Sequence, residues 1–322
     1  MRFLVTGCAG FIGSTLTDTL LASGHEVVGI DCFTDYYAID RKRANLAGAI
    51  AHAAFELLEL DLARDAIPAR ALAVDGVFHQ AAQAGVRASW GAEFATYTDC
   101  NVLATQRLLE ALKHRDGGPA PIVYASSSSV YGNAEARPTR EDALPAPISP
   151  YGVTKLAAEH LVDTYRHEFD VRGTSLRYFT VYGPRQRPDM AFHKFGRASL
   201  AGESIGVYGD GNQSRDFTFI DDIVAGNIAA MDALRGGARG GTYNLGGGST
   251  VTVREVVDML GEILGSPVAV DYGDTQPGDV RHTSADTGRA REAIGFAPTV
   301  TLAEGLAREI EWLRGVYAPA TG

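Results

Sequence analysis

Cysteine is scarce: Cys8, Cys32 and Cys100 are the only three, and no two form a Cys-x-x-Cys pair. That usage suits a reducing cytoplasm and offers no thiolate metal site. Basic residues are outnumbered, 29 against 39 acidic ones, for a net charge of −10. A surface of that sign disfavours nucleic acid as a partner, while leaving room for a basic pocket around a small anion. No uninterrupted apolar run reaches the roughly 18 residues that a membrane span needs. The first strand candidate starts at residue 2, so no signal peptide is expected ahead of it. Internal repeats and low-complexity segments are absent as well.

What is present is length and alternation. A chain of 322 residues can bury a large core and carry a second, smaller lobe. Strand candidates fall at 2–5, 26–30, 55–58, 75–79, 121–125 and 173–178. Helical patterns lie near 12–23, 38–48, 91–115 and 151–169. This alternation predicts an α/β fold, a doubly wound parallel sheet with helices on both faces. After about residue 180 the pattern changes to short strands, helices (190–201, 221–234, 253–264, 302–313) and turns such as Gly183-Pro184, Gly246-Gly247-Gly248 and Pro277-Gly278. Residues 1–180 are expected to form a dinucleotide-binding domain to which some later segments return. Residues 181–322 are expected to form mainly a smaller mixed α/β substrate lobe.

Two local patterns carry chemistry. Phe3 to Val5 reads as a buried strand, followed by glycines at 7, 10 and 13 and then a helix. Glycines there let the backbone turn tightly and approach a pyrophosphate resting on the helix N-terminus. The spacing Gly-x-x-Gly-x-x-Gly is a variant of the usual fingerprint, but its place between strand and helix supports the reading. Asp31 ends the second strand. A carboxylate there accepts hydrogen bonds from ribose hydroxyls and repels a 2′-phosphate, which favours NAD over NADP. Alternatively, Asp31 is an ordinary strand-end turn residue.

The second pattern is Ser149-Pro150-Tyr151-Gly152-Val153-Thr154-Lys155, preceded by the serine cluster 126–129. Positions i and i+4 share a helix face, so Tyr151 and Lys155 can reach one hydroxyl. A free phenol ionises near pH 10, and a neighbouring cation lowers that value. A serine opposite could pass or hold the proton. The set suits proton transfer at an alcohol whose carbon loses hydride. His79, closing a buried strand, reads as a packed core histidine and is assigned no chemistry.

Five segments together resemble the extended short-chain dehydrogenase/reductase family, over nearly the whole chain: Thr6-Gly7-x-x-Gly10-Phe11-Ile12-Gly13, His79 to Arg87, Ser126 to Gly132, Tyr151-x-x-x-Lys155, and Arg177 to Met190. Within it the chain is most similar to nucleotide-sugar epimerases that act on UDP-glucuronate at C4. Gln80 stands where the family usually has leucine, and Cys8 and Cys32 replace the commoner alanine and asparagine.

The resemblance implies a function: reversible conversion of UDP-glucuronate to UDP-galacturonate through a 4-keto sugar, with tightly bound NAD. Tyr151 takes the 4-hydroxyl proton, Ser127 assists, and Lys155 lowers the Tyr151 pKa and bonds the nicotinamide ribose. Gly7, Gly10, Phe11, Ile12, Gly13, Asp31, Asp61, Leu62, Gln80, Ala81, Ala82, Gln83, Asn101, Ser126, Tyr151, Lys155 and Tyr178 are expected along the cofactor. Asn101 reads equally as a helix-polar residue. Arg215 and Arg281 match phosphate-binding arginines of the family, or are solvated. Ala191-Phe192-His193 and Val207-Tyr208 are expected near uracil. Arg87 faces either the sugar or solvent. The likeness also implies a homodimer built on helices 91–115 and 151–169, although Leu103, Leu108, Leu109 and Leu112 there could be core.

Relatives that dehydrate or decarboxylate sugars carry glutamate before Val-Tyr-Gly, and dehydratases have aspartate before that. Here both places are serines, Ser128 and Ser129. With Thr180 and Arg187, and Arg185 as second choice, they would hold a substrate carboxylate out of line with the C4 ketone and so prevent loss of CO₂. Otherwise one of these arginines pairs with Asp189 or faces solvent. The alternatives to a uronate epimerase are a UDP-glucose or UDP-N-acetylglucosamine 4-epimerase, a decarboxylase or dehydratase, and a non-catalytic NAD-binding regulator.

Overall fold

The computed structural model describes residues 1–134, 136–274 and 280–317, so the Pro277-Gly278 turn lies outside the described residues. Twelve strands occur among them: β1 (Arg2–Thr6), β2 (Glu26–Asp31), β3 (Phe55–Glu59), β4 (Gly76–His79), β5 (Ile122–Ser127), β6 (Gly173–Tyr178), β7 (Thr180–Tyr182), β8 (Ile205–Tyr208), β9 (Ser214–Phe219), β10 (Thr242–Leu245), β11 (Ser249–Thr252) and β12 (Val270–Gly273). Seven build one parallel sheet in the order β10-β6-β5-β4-β1-β2-β3. The order reverses direction at β1, and ligand crevices open at such a switch point, beyond the carboxyl ends of the strands. Apolar runs in β1 and β4 are buried throughout because helices cover both faces. Two small sheets complete the fold, β11-β9-β7 and β12-β8. The doubly wound α/β expectation is met, with smaller mixed sheets following.

Helix boundaries differ in two informative places. The pattern at 38–48 resolves into two short helices, Ile39–Asn45 and Ala47–Ile50. The pattern at 91–115 is continuous but not uniform: a 3₁₀ turn at Gly91–Glu93, α-helix at Phe94–Tyr97, π-helix at Thr98–Leu103 and α-helix at Ala104–Lys113. The wider π turn carries Asn101, which accepts from the Gln83 N–H (2.7 Å) and donates to the Gln83 carbonyl and Thr154 Oγ1 (both 3.0 Å). π turns are frequent at functional sites.

A polar knot ties the sheet to the helix behind the serine cluster. Arg177 on β6 grips Glu159 of the Pro150–Glu168 helix, Nε–Oε1 2.9 Å and Nη2–Oε2 2.8 Å, with both side chains 6% exposed. Ser126 of β5 donates to the same carboxylate. His79 is a second knot: its two ring nitrogens meet Thr6 Oγ1 (2.7 Å) and Thr105 Oγ1 (2.9 Å). Burial depresses its pKa to about 3, so it stays neutral. Removing one member of a buried ion pair leaves the other uncompensated. Glu159→Ala is therefore expected to destabilise the fold by about 3–5 kcal/mol in urea unfolding, and replacing Glu159 and Arg177 together by apolar residues should recover most of that loss.

Candidate functional site

The crevice at the switch point begins in the β1–α1 turn, where α1 spans Phe11–Ala22. Gly7 has φ +67°, and a Cβ there would lie 2.7 Å from the Ala81 backbone nitrogen. A Cβ on Gly13 would meet the Gly7 carbonyl oxygen at 2.1 Å. These two glycines let α1 pack hard against the turn. Gly10 occupies the N-cap position of α1 and no side chain caps that end, leaving its first N–H groups for a ligand. Asp31 touches the same turn: its carboxylate accepts from the Ala9 N–H (3.0 Å) and the Phe33 N–H (2.8 Å). Each oxygen keeps capacity to accept a further hydrogen bond.

The crevice is open to solvent and spans about 770 Å³ of atom-free space, the water at its mouth included. Gly7, Gly10, Asp31, Asp61, Leu62, Gln80, Ala81, Ala82, Gln83 and Arg187 all line it. A glycine cradle at a helix start, an acid at the end of β2 and an apolar far wall at Leu62 fit an adenine dinucleotide. Phe11 is buried behind the cradle, and Ile12 packs against the same core. Asn101 supports Gln83 from behind. Ser126 and Tyr178 turn elsewhere: Ser126 to Glu159, and the Tyr178 hydroxyl to Asn227 Oδ1 (2.8 Å) and Gln80. Cys32 lines the crevice too, and sequence reading missed Thr34, Tyr36, Tyr37, Lys42 and Cys100, which do the same. The Tyr36-Tyr37 pair, in the loop that follows the strand-end acid Asp31, was the available signal. Lys42 Nζ donates to the Thr34 carbonyl (2.7 Å) and Oγ1 (2.9 Å), closing this loop.

Tyr151 and Lys155 stand on the first turns of the Pro150–Glu168 helix. Ser149 caps it, accepting from the Gly152 N–H at 3.1 Å, and Pro150 takes the first helical position. Ser127 ends β5 opposite; its hydroxyl accepts from the Ser129 N–H (3.2 Å) and acts on the Tyr151 phenol. Burial raises the Tyr151 pKa; the Ser127 hydrogen bond and the Arg187 charge oppose that rise. Lys155 was expected to be the cation responsible. Its Nζ instead donates to the Ala125 carbonyl (2.8 Å) and lies 6.0 Å from the Tyr151 ring centre. Burial brings the Lys155 pKa down to about 7, against the pull of Glu159, so its own charge is incomplete at neutral pH. Tyr97 meets the Tyr151 ring edge-on at 6.2 Å.

Ser128 and Ser129 form the 3₁₀ turn after Ser127, partly exposed, and Thr180 begins β7. Arg187 grips Asp189 with Nε and Nη2, each at 3.0 Å. Arg185 turns away to α1, where it pairs with Asp18 at 2.7 Å. Val207 and Tyr208 line a second hollow with Lys194, Phe195 and Arg197. The Arg87 guanidinium stacks 4.3 Å above the Tyr208 ring. Arg215 bonds the Ser214 (2.9 Å) and Arg281 (3.1 Å) carbonyls, and Arg281 pairs with Asp210 (3.1 Å) at the surface. Phe192 and His193 face the core: Phe192 stacks near Phe217, and His193 bonds the Gln186 carbonyl (2.7 Å) and Tyr317 hydroxyl (2.8 Å). Both side chains are thus committed within the protein, so a base beside this stretch would meet its backbone.

Residues 3–246 match the NAD dependent epimerase/dehydratase family. The uncharacterised UDP-glucose epimerase YtcB of Bacillus subtilis is 40% identical over 98% of this chain and 99% of its own length. The UDP-glucuronic acid 4-epimerase of Bacillus cereus, solved with UDP-glucuronic acid and NAD, is 40% identical with a TM-score of 0.92, covering 98% of this chain and all (100%) of that one. MoeE5, solved with NAD and either UDP-glucose or UDP-glucuronic acid, is 42% identical over 98% of this chain and 99% or 100% of its own, with TM-scores of 0.86 and 0.85. The chain belongs to the NAD dependent epimerase/dehydratase family, as a nucleotide-sugar 4-epimerase.

Proposed function

We propose that the protein interconverts UDP-glucuronate and UDP-galacturonate through a 4-keto intermediate. The observation that carries this reading is Arg187, whose guanidinium lines the cofactor crevice and acts electrostatically on Tyr151. A neutral C6 hydroxyl has no need of a cation there. Bound NAD accepts hydride from C4 and returns it. The chain's own residues do the rest. Tyr151 removes the 4-hydroxyl proton and restores it on the opposite stereoisomer. Ser127 holds that phenol in position and shares the proton. Lys155 braces the helix start against the end of β5 through the Ala125 carbonyl.

Serine at 128 and 129 supports epimerisation over dehydration or decarboxylation, because neither side chain can act as a carboxylate base at C5. Those hydroxyls, Thr180 and the Arg187 N–H groups can instead hold the substrate carboxylate out of line with the ketone. Arg215 and Arg281 are assigned to the diphosphate, Arg87 to the same rim, and Val207 and Tyr208 to the uracil end. Ser126 and Tyr178 then serve the cofactor side indirectly, through Glu159 and Gln80. A UDP-glucose 4-epimerase is the second reading, favoured by the pairing of Arg187 with Asp189. The protein is further proposed to act in the cytoplasm and as a homodimer, paired through the helices that carry the exposed Phe94, Leu103 and Val153.

Incubation with UDP-glucuronate, followed by NMR, is expected to yield UDP-galacturonate; a UDP-pentose, a 6-deoxy sugar or no product would each overturn the reading. Tyr151→Phe should lower kcat by about 10²–10⁴-fold without loss of bound cofactor. Arg187→Ala should reduce kcat/KM for UDP-glucuronate by about 10–100-fold and that for UDP-glucose much less, since charge-assisted bonds to the carboxylate are lost.

A further inference from the structure

We infer that Asp189 is a specificity-determining residue: by balancing Arg187 within the protein, it lets one site accept a neutral UDP-hexose beside a UDP-hexuronate. The inference rests on the epimerase reading above. Arginine has five N–H donors, and Asp189 takes two of them, along the Nε/Nη2 edge. Three remain for a ligand. Asp189 is therefore an orienting partner rather than a competitor for the same donors. Its carboxylate is itself held by the Tyr36 hydroxyl at 3.3 Å. Tyr36 follows β2 and Asp189 follows β7, so two distant segments clamp one carboxylate.

Charge decides the consequence. The ionisable groups acting on Arg187 are Asp189, Tyr36 and Tyr151. Of these, Asp189 is the fixed charge: Tyr36 stays neutral because burial raises its pKa, and Tyr151 is ionised only when it acts as the base. The Arg187 side chain is 20% exposed and that of Asp189 36%, so water screens them only in part. An unbalanced guanidinium here would demand an anion and penalise a hydroxymethyl group. With Asp189 in place, the cation is matched before any sugar arrives. A hexuronate then gains hydrogen bonds from the remaining N–H groups but little net ion pairing. A hexose leaves no bare charge behind, so it is only mildly disfavoured.

The test uses the purified protein with its bound cofactor, measuring kcat/KM for UDP-glucuronate and UDP-glucose in the parent, Asp189→Asn and Asp189→Glu. The parent is expected to convert both sugars, with the two values within about 100-fold of each other. Asp189→Asn should raise the ratio in favour of the uronate about tenfold, chiefly through KM, and Asp189→Glu should bring it back toward the parent. A parent ratio wider than that range overturns the inference, and this holds even if the asparagine variant fails to fold. Equal losses on both sugars in Asp189→Asn also overturn it, because a merely structural role would act so. Conversion of neither sugar by the parent would overturn the epimerase reading and take the inference with it.

Discussion

Tyr151 sits where surrounding protein opposes its ionised form, and the rest of the site is arranged against that penalty. The Ser127 hydroxyl and the Arg187 guanidinium both favour the phenolate. Each is delivered by a different part of the fold, Ser127 by the carboxyl end of β5 and Arg187 by the segment beyond β7. Ser149 and Pro150 start the helix so that the phenol emerges on its first turn. The same burial that raises the phenol lowers Lys155 to about 7. A lysine so desolvated is a weak source of fixed charge and a good tether. Its hydrogen bond to Ala125 keeps the helix start and the end of β5 in register.

The polar knot behind the serines serves the same end at longer range. Glu159 lies one turn beyond Lys155, and Arg177 stands on β6 beside Ser126 of β5. Their bonds link the helix that carries Tyr151 to two adjacent strands. Buried pairs of this kind add little net stability but leave few alternative arrangements once every donor is met. Arg187 and Asp189 form a second such pair beyond β7, joined to the segment after β2 by Tyr36.

Much of this was legible in the sequence because it is local. The glycine turn, the strand-end Asp31, the capped Tyr-x-x-x-Lys helix and the serine run each depend on neighbours within a few residues. The parallel sheet followed from strand and helix alternation. What escaped depends on the tertiary fold. Nothing near Asn101 announces a π turn, whose position is set by Gln83 and Thr154 on other elements. Tyr36 and Lys42 join the crevice only because β2 lies beside β1. Arg187 and its second choice Arg185 lie two residues apart, yet one faces Asp189 and the other Asp18, a partner only the fold supplies. Phe192 and His193 are adjacent in sequence, yet Phe192 packs on Tyr182 and Phe217 while His193 meets Trp312 and Tyr317 of the last helix, contacts no local pattern announces.

The seventh strand of the main sheet, β10, comes from residues 242–245 and docks beside β6, nearly seventy residues earlier in the chain. During synthesis, β6 therefore emerges from the ribosome with one side unpaired and stays so while the intervening segment is made. An open edge of that kind invites pairing with other chains. Truncated products ending before residue 242 would retain the glycine turn and Tyr151 but carry this unprotected border, which makes premature termination a hazard to solubility as well as to activity.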